Sequence, residues 1–292
     1  MVRAGGVFDQ GKEELIDTLR HGPGTGQSEQ ADKAAVPVSQ WRLENIRAAV
    51  ARLQDYTLSG VWRVLRRYGL KLRTASVQQY SPDPDYEPKL AHLLACLSQT
   101  AQDPTNTVFV FLDEMGYYCW PEVAKVWTQA APMPAPPADR HQAKQQQWRV
   151  IGALNALTGQ VDYLDGYIVG RAKVIQMYQH LVECYPHAGR IYVAQDNWSI
   201  HKHPDVEAAL GQLPLIEPVW LPTYAPWLNP IEKLWRWLRQ DVLTMHRLAG
   251  DWPLLRQRVR DFLAQFAAGS VDLLRYVGLA GQGKLARAIH PT

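Results

Sequence analysis

Residues Arg190–Arg236 read RIYVAQDNWSIHKHPDVEAALGQLPLIEPVWLPTYAPWLNPIEKLWR. A short apolar run, Ile191–Ala194, ends at Asp196-Asn197. Such a continuous run fits a strand buried on both faces. Pro204 then opens a helical stretch, Asp205–Leu213, and a second apolar run spans Leu215–Leu221. A loop rich in proline, TYAPWLNP, leads into a helix that starts at Pro230, carries Glu232 and reaches to about Leu243. Proline is at home in the first turn of a helix, so Asn229-Pro230 fixes where this one begins.

Working outward, VFVFLDEMG forms another apolar run, Val108–Leu112, with Asp113 at its end. Asp113, Asp196 and Glu232 thus fall at two strand ends and a helix start. Thirty-five residues separate the last two. Hard divalent cations prefer carboxylate oxygens. Three such groups can hold two cations, and a pair of that kind can cut and rejoin phosphodiesters. Alone, each acid has a plainer role, in a turn or at the positive end of a helix dipole.

The remaining pattern is that of an α/β domain. Lys125–Thr128 and Arg149–Leu157 read as strands, Val161–Ile168 as a further strand or hairpin, and Ala172–Cys184 as a helix. Trp252–Ala268 is amphipathic. Gln79–Lys89 is a linker containing proline, and helical periodicity resumes over Pro88–Ser98. Upstream, Leu43, Ile46, Val50 and Leu53 recur at helical spacing. After a break at Gln54–Tyr56, Thr57 or Ser59 can cap a second helix, which Gly69 ends. A helix, a short turn and a basic helix make a helix-turn-helix pattern. Trp62, Arg63, Arg66 and Arg67 fall on its open side, with Lys71 and Arg73 just beyond. Between Val36 and Ala75 eight basic residues face only Glu44 and Asp55. The segment is therefore +6 within a chain of +3, so the remainder carries −3. A basic module joined to a mildly acidic one suggests that nucleic-acid binding and catalysis reside in separate parts. Residues 1–35 are expected to be weakly ordered, with at most a short helix over Lys12–Leu19. The boundaries expected are 1–35, 36–78 (helix-turn-helix), 79–106 (linker and helix), 107–245 (catalytic) and 246–292 (helical extension).

Composition excludes several classes. No run of apolar residues approaches the length of a membrane span. The N-terminus lacks the apolar core of a signal peptide. Three widely spaced cysteines, Cys96, Cys119 and Cys184, do not make a disulfide framework and read as small buried hydrophobes in a reducing compartment. His201-Lys202-His203 lacks the partner ligands of a zinc site. A glycine-rich phosphate loop is also absent.

The combination of D-E at 113–114, D-N-x-S-x-H-K from Asp196 and L-N-P-I-E-x-x-W from Leu228 resembles the IS630 family of transposases, within the IS630/Tc1/mariner superfamily. The likeness covers roughly residues 40–245. It implies an RNase H-like fold, a mixed five-stranded sheet flanked by helices, preceded by a small all-α helix-turn-helix segment. It further implies that Asp113, Asp196 and Glu232 are catalytic and bind two Mg²⁺ or Mn²⁺, with Asp113 bridging the ions. Adjacent strand residues point to opposite faces, so Glu114 is expected behind the metal ligands rather than among them. Asn197, His201 and Asn229 are expected in the same supporting position, and Lys202 against a phosphate or in solvent. The partners implied are double-stranded DNA, both terminal inverted repeats and a TA target, and a second copy of the chain on DNA. The location implied is the bacterial cytoplasm, at the nucleoid. The sequence also departs from its relatives. Trp227 replaces a usual acid, Ala225 a usual Ser and Trp198 a small residue, and one helix-turn-helix is evident where two are usual. A truncated or repurposed copy that binds DNA without cutting it is the alternative these departures raise.

Overall fold

The computed structural model describes residues 5–20, 41–72, 80–125, 137–138 and 145–290. The chain divides into two compact units, with the boundary between Val77 and Gln78.

The first unit is helical: α1 (Gly5–Arg20), α2 (Leu43–Ala49), a 3₁₀ turn at Ala51–Leu53, and α3 (Leu58–Arg67). Its core is Leu15, Ile46, Val50, Leu53 and Val61. The Thr57 side chain caps α3 by accepting from the Gly60 amide at 3.1 Å. The short helix expected over Lys12–Leu19 is part of a longer one, and residues 21–35 lie outside the described residues. Residues Gly5–Arg20 are helical and Leu15 is fully buried. The apolar spacing of Leu15 and Leu19 supplies its packing face.

The second unit begins with α4 (Tyr86–Gln102) and a five-stranded sheet: β1 (Thr107–Tyr118), β2 (Gln147–Asn155), β3 (Val161–Gly166), then α5 (Arg171–Cys184), β4 (Arg190–Gln195), α6 (Pro204–Gly211) and β5 (Ile216–Trp220). Next come α7 (Ile231–Leu238), which continues as a π-helical turn at Arg239–Leu243, and α8 (Trp252–Ala264), α9 (Val271–Val277) and α10 (Lys284–Ile289). The strand order is β3-β2-β1-β4-β5. The β1–β2 and β2–β3 pairs are antiparallel, whereas β1–β4 and β4–β5 are parallel. This is the mixed five-stranded sheet expected. The strand expected at Lys125–Thr128 is not one of the five; Lys125 is not in a strand and 126–128 lie outside the described residues.

Alternation along β1 sorts the core into two layers. Phe109, Phe111, Met115 and Tyr117 face α4 and α7–α10, while Val110 and Leu112 face α5 and α6. The helices before and after the sheet are not separate pieces. Leu93 and Leu97 of α4, Leu255 and Val259 of α8, Leu273 of α9 and Ile289 of α10 all enter the first layer. Among the described residues no helix is long and apolar enough to cross a membrane.

Candidate active site

β1 is longer than its apolar run. Asp113 therefore lies inside the strand, not at its end. The first half of β1 pairs in parallel with β4, up to Phe111↔Ala194. β4 stops at Gln195, and among the described residues the second half of β1 pairs only with β2. Extending the parallel register by two residues sets Asp113 beside Asp196, in the crevice where β4 ends. Crevices at such switch points are the usual ligand sites of α/β sheets. A cleft of about 510 Å³ opens there, lined by Asp113, Asp196 and Glu232 together with Asn197, Trp198, Tyr224 and Asn229. The three acids that the sequence singled out thus share one cleft.

Asp113 is held on two sides. Trp235 Nε1–H donates to its Oδ2 at 3.0 Å. The tryptophan reaches it because Gly152, the β2 residue paired with Asp113, has no side chain. A Cβ at Gly152 would lie 2.6 Å from the Trp235 ring. Burial, then the nearby charges of Glu232 and Glu114, push the Asp113 carboxyl up to about 8. Glu232 is also raised, chiefly by desolvation, with the Asp196 charge adding to it against Arg239 and Arg236. Each shift records chiefly burial of a carboxyl, with neighbouring acids adding to it.

Asp196 differs. Desolvation opposes its charge, but hydrogen bonds from His201 and the Trp198 amide (2.9 Å) outweigh that and hold it below the usual range. His201 is buried between two acids, with Nε2 3.1 Å from Glu114 Oε1 and Nδ1 3.3 Å from Asp196 Oδ1. Burial disfavours its charge, yet the bonds to Asp196 and Glu114 prevail and push it up to about 10. That direction favours the imidazolium, the form in which both ring nitrogens can donate. Glu114 points to the opposite face of β1 from Asp113 and reaches Asp196 only through this ring.

Asn229 is buried beneath the cleft. Its Nδ2 donates to the Leu112 carbonyl at 3.0 Å, and its backbone carbonyl accepts from the Glu232 amide at 3.2 Å. Its Oδ1 is buried and has no hydrogen-bond partner among the described residues. Asn197 is committed elsewhere: its Nδ2 donates to Leu221 O at 2.7 Å, and its Oδ1 accepts from Lys202 Nζ at 2.9 Å. Lys202 also lies over the Trp220 ring. In the helical unit, Trp62, Arg63, Arg66, Arg67 and Lys71 are all exposed, and the Arg66 guanidinium stacks over Trp62 at 5.6 Å. Arg73 lies outside the described residues.

Sequence reading treated Trp235 as packing and passed over Gly152, Arg239 and Tyr224. The signal for Trp235 was available. A buried indole N–H needs an acceptor, and this one lies one helical turn beyond Glu232. Arg239 donates to Glu122 and to the Gly116 carbonyl (3.1 Å), on the π-helical turn that no periodicity announced. Tyr224, 78% exposed at the lip of the cleft, has φ of 53°, strained for a bulky residue. It follows Thr223, whose amide donates to Asp83 Oδ2 at 2.7 Å and whose carbonyl accepts from Ser81.

The donor set fits a hard divalent cation. All three acids offer oxygen alone, their mutual repulsion is relieved by added positive charge, and Asn229 leaves a carbonyl oxygen unused beside them. A mixed sheet with Asp, Asp and Glu converging at its switch point defines a DDE endonuclease. Residues 108–252 match the DDE superfamily endonuclease family. That segment, which carries all three acids, is thus similar to DDE superfamily endonucleases. The chain is 25% identical over 254 residues to the insertion element IS630 uncharacterized 39 kDa protein of Shigella sonnei, covering 85% of this chain and 69% of that one. Its fold is similar to that of the Mos1 strand transfer complex (TM-score 0.59, 17% identity, 95% of this chain and 75% of that one). It is also similar to the Mos1 mariner paired end complex with Mn (0.55, 16%, 95% and 84%).

Proposed function

We propose that this transposase binds the terminal inverted repeats of its own element, cuts phosphodiesters at the element ends and joins the freed 3′-hydroxyl to target DNA. The observation that supports this reading is the one cleft lined by Asp113, Asp196 and Glu232 at the end of β4. Asp113, Asp196 and Glu232 would hold two Mg²⁺ or Mn²⁺. When bound, such ions supply an activated water and stabilise the leaving 3′-oxygen. In cutting, the water oxygen bonds to phosphorus, the 3′-oxygen leaves, and one proton from the water ends on it. In joining, the 3′-hydroxyl is the nucleophile and a target 3′-oxygen leaves.

The chain's own groups fix the geometry. Trp235 holds one oxygen of Asp113, leaving the other for the cleft. His201 orients Asp196 from below and keeps it ionised. Asn229 anchors the start of α7, and with it Glu232, to β1. Its free Oδ1 would accept from a water in the cleft. Tyr224 offers an aromatic face where a DNA strand would enter. In the helical unit, α3 would lie on duplex DNA, with Arg63, Arg66, Arg67 and Lys71 on phosphates and Trp62 beside them. Lys202 has its own partners and would meet phosphate only by exchanging one of them. A TA target, a homodimer on paired ends and a nucleoid location complete the reading, supported by the family.

The test is cleavage of a supercoiled plasmid that carries the element ends, in Mg²⁺, Mn²⁺ or EDTA. Wild type should cut at the ends only with metal, and Asp196→Ala and Glu232→Ala should each fall by at least 10³-fold, the order expected when a carboxylate ligand to a catalytic metal is lost. Binding of ends without cutting by the wild type would overturn the reading and leave a DNA-binding remnant.

A further inference from the structure

A second group of metal-ligating side chains lies on the other face of the sheet, away from Asp113. Asp162 is the second residue of β3 and projects to the layer that holds α5. His180 and Cys184 are four residues apart on α5, hence one above the other on the same face. The Cys184 sulfur lies 3.4 Å from His180 Nε2. One ligand atom from each of Asp162, His180 and Cys184 lies within 4.8 Å of the other two, and all three residues are half-buried. Ligands of tetrahedral zinc, at about 2.3 Å for sulfur and about 2.0–2.1 Å for nitrogen, sit about 3.5 Å apart. The sulfur–nitrogen pair already meets that spacing.

The carboxylate is oriented from behind. Tyr185 Oη donates to Asp162 Oδ2 at 2.8 Å, and Gln160 Nε2 donates to Oδ1 at 3.0 Å. Supporting bonds of this kind aim metal-binding carboxylates. Burial, then Asp162, push the Cys184 thiol up to about 11, so without a cation the proton stays on sulfur. A bound cation would replace that proton. The chain contains its own control. His92 and Cys96 on α4 have the same spacing, with sulfur 3.8 Å from Nε2, but among the described residues no carboxylate completes that pair.

We propose that Asp162, His180 and Cys184 bind one borderline-soft divalent cation of the zinc class, which ties the edge strand β3 to α5. A nitrogen, sulfur and oxygen set disfavours Mg²⁺ and selects zinc, cobalt or nickel. The site is thus chemically distinct from the all-oxygen cleft. Three protein ligands leave the fourth position to water.

Cobalt(II) is the probe, added to the full chain as wild type and as Asp113→Asn/Asp196→Asn, which silences the cleft. A thiolate-to-cobalt charge-transfer band cannot come from carboxylates. The band should saturate at one cobalt per chain in both proteins and be displaced by zinc. It should vanish in Cys184→Ser, weaken at least tenfold in apparent affinity in His180→Gln, where the thiol remains, and persist in Cys96→Ser. Each variant's metal-free melting should match its parent. No band in the wild type, or a band that survives Cys184→Ser, overturns the proposal.

Discussion

At the scale of single residues, Asp113 links metal binding to stability. Its folded pKa, pushed from 3.8 up to about 8, lies above its unfolded value. The protonated carboxyl therefore contributes fully below about pH 4, and that contribution is lost as pH rises through 8. Metal-free wild type should lose melting temperature from pH 4 to pH 8. Asp113→Asn should lose less and should melt several degrees higher than wild type at pH 8. Saturating Mg²⁺ should raise the melting temperature of the wild type and not of the variant. Thermal melts across pH with and without Mg²⁺ check both signs. Trp235→Phe keeps most of the ring's packing and removes the N–H that Asp113 accepts. Cleavage should fall about 10- to 150-fold, in line with the roughly 1.5–3 kcal/mol of a hydrogen bond to a charged group, with the melting temperature changed far less. The acids themselves were legible, because their spacing and flanking motifs are local in sequence. The Trp235–Asp113 and Glu114–His201 contacts join residues 122 and 87 positions apart and become visible only once the strand register is known.

At the scale of elements, the paired glycine makes a sharper test than the acids. Gly152→Ala places a methyl within the Trp235 ring contact, on the strand that faces α7. Overpacking of this sort costs about 1–3 kcal/mol. It should lower the melting temperature and cleavage together, and Gly152→Ala/Trp235→Phe should not restore cutting. In α3, Arg63→Ala and Arg66→Ala should weaken binding to unrelated duplexes as well as to the ends. Each should reduce the slope of log affinity against log salt by about 0.9, read by anisotropy titration. Element type was legible where periodicity was long, as in α5 and β2. Ends were not. β1 runs six residues past its apolar stretch, to Tyr118, because β2 continues to pair with it, and a sequence pattern carries no trace of its pairing partner.

At the scale of the molecule, the helices after the catalytic segment belong to its core. Removing residues 246–292 would strip Leu255, Val259, Phe262, Leu273 and Ile289 from the layer that carries Trp235. Each such loss costs about 2–5 kcal/mol, more in sum than the net stability of a domain. The truncated chain should show no cooperative melting transition by circular dichroism. The sequence suggested an appended extension because α8 is amphipathic and begins after a break. Which sheet face its apolar side covers is a tertiary fact.

The unpaired half of β1 has another consequence. Past Phe111 the strand has no paired neighbour on the β4 side among the described residues, and its Leu112 and Gly116 carbonyls are met by Asn229 and Arg239 side chains. Those two side chains cover a bare strand edge, the kind of surface on which foreign strands add and chains aggregate. Variants such as Asn229→Ala and Arg239→Ala would then be scarce in the soluble fraction, and a screen that scores only transposition would count misassembly as lost chemistry.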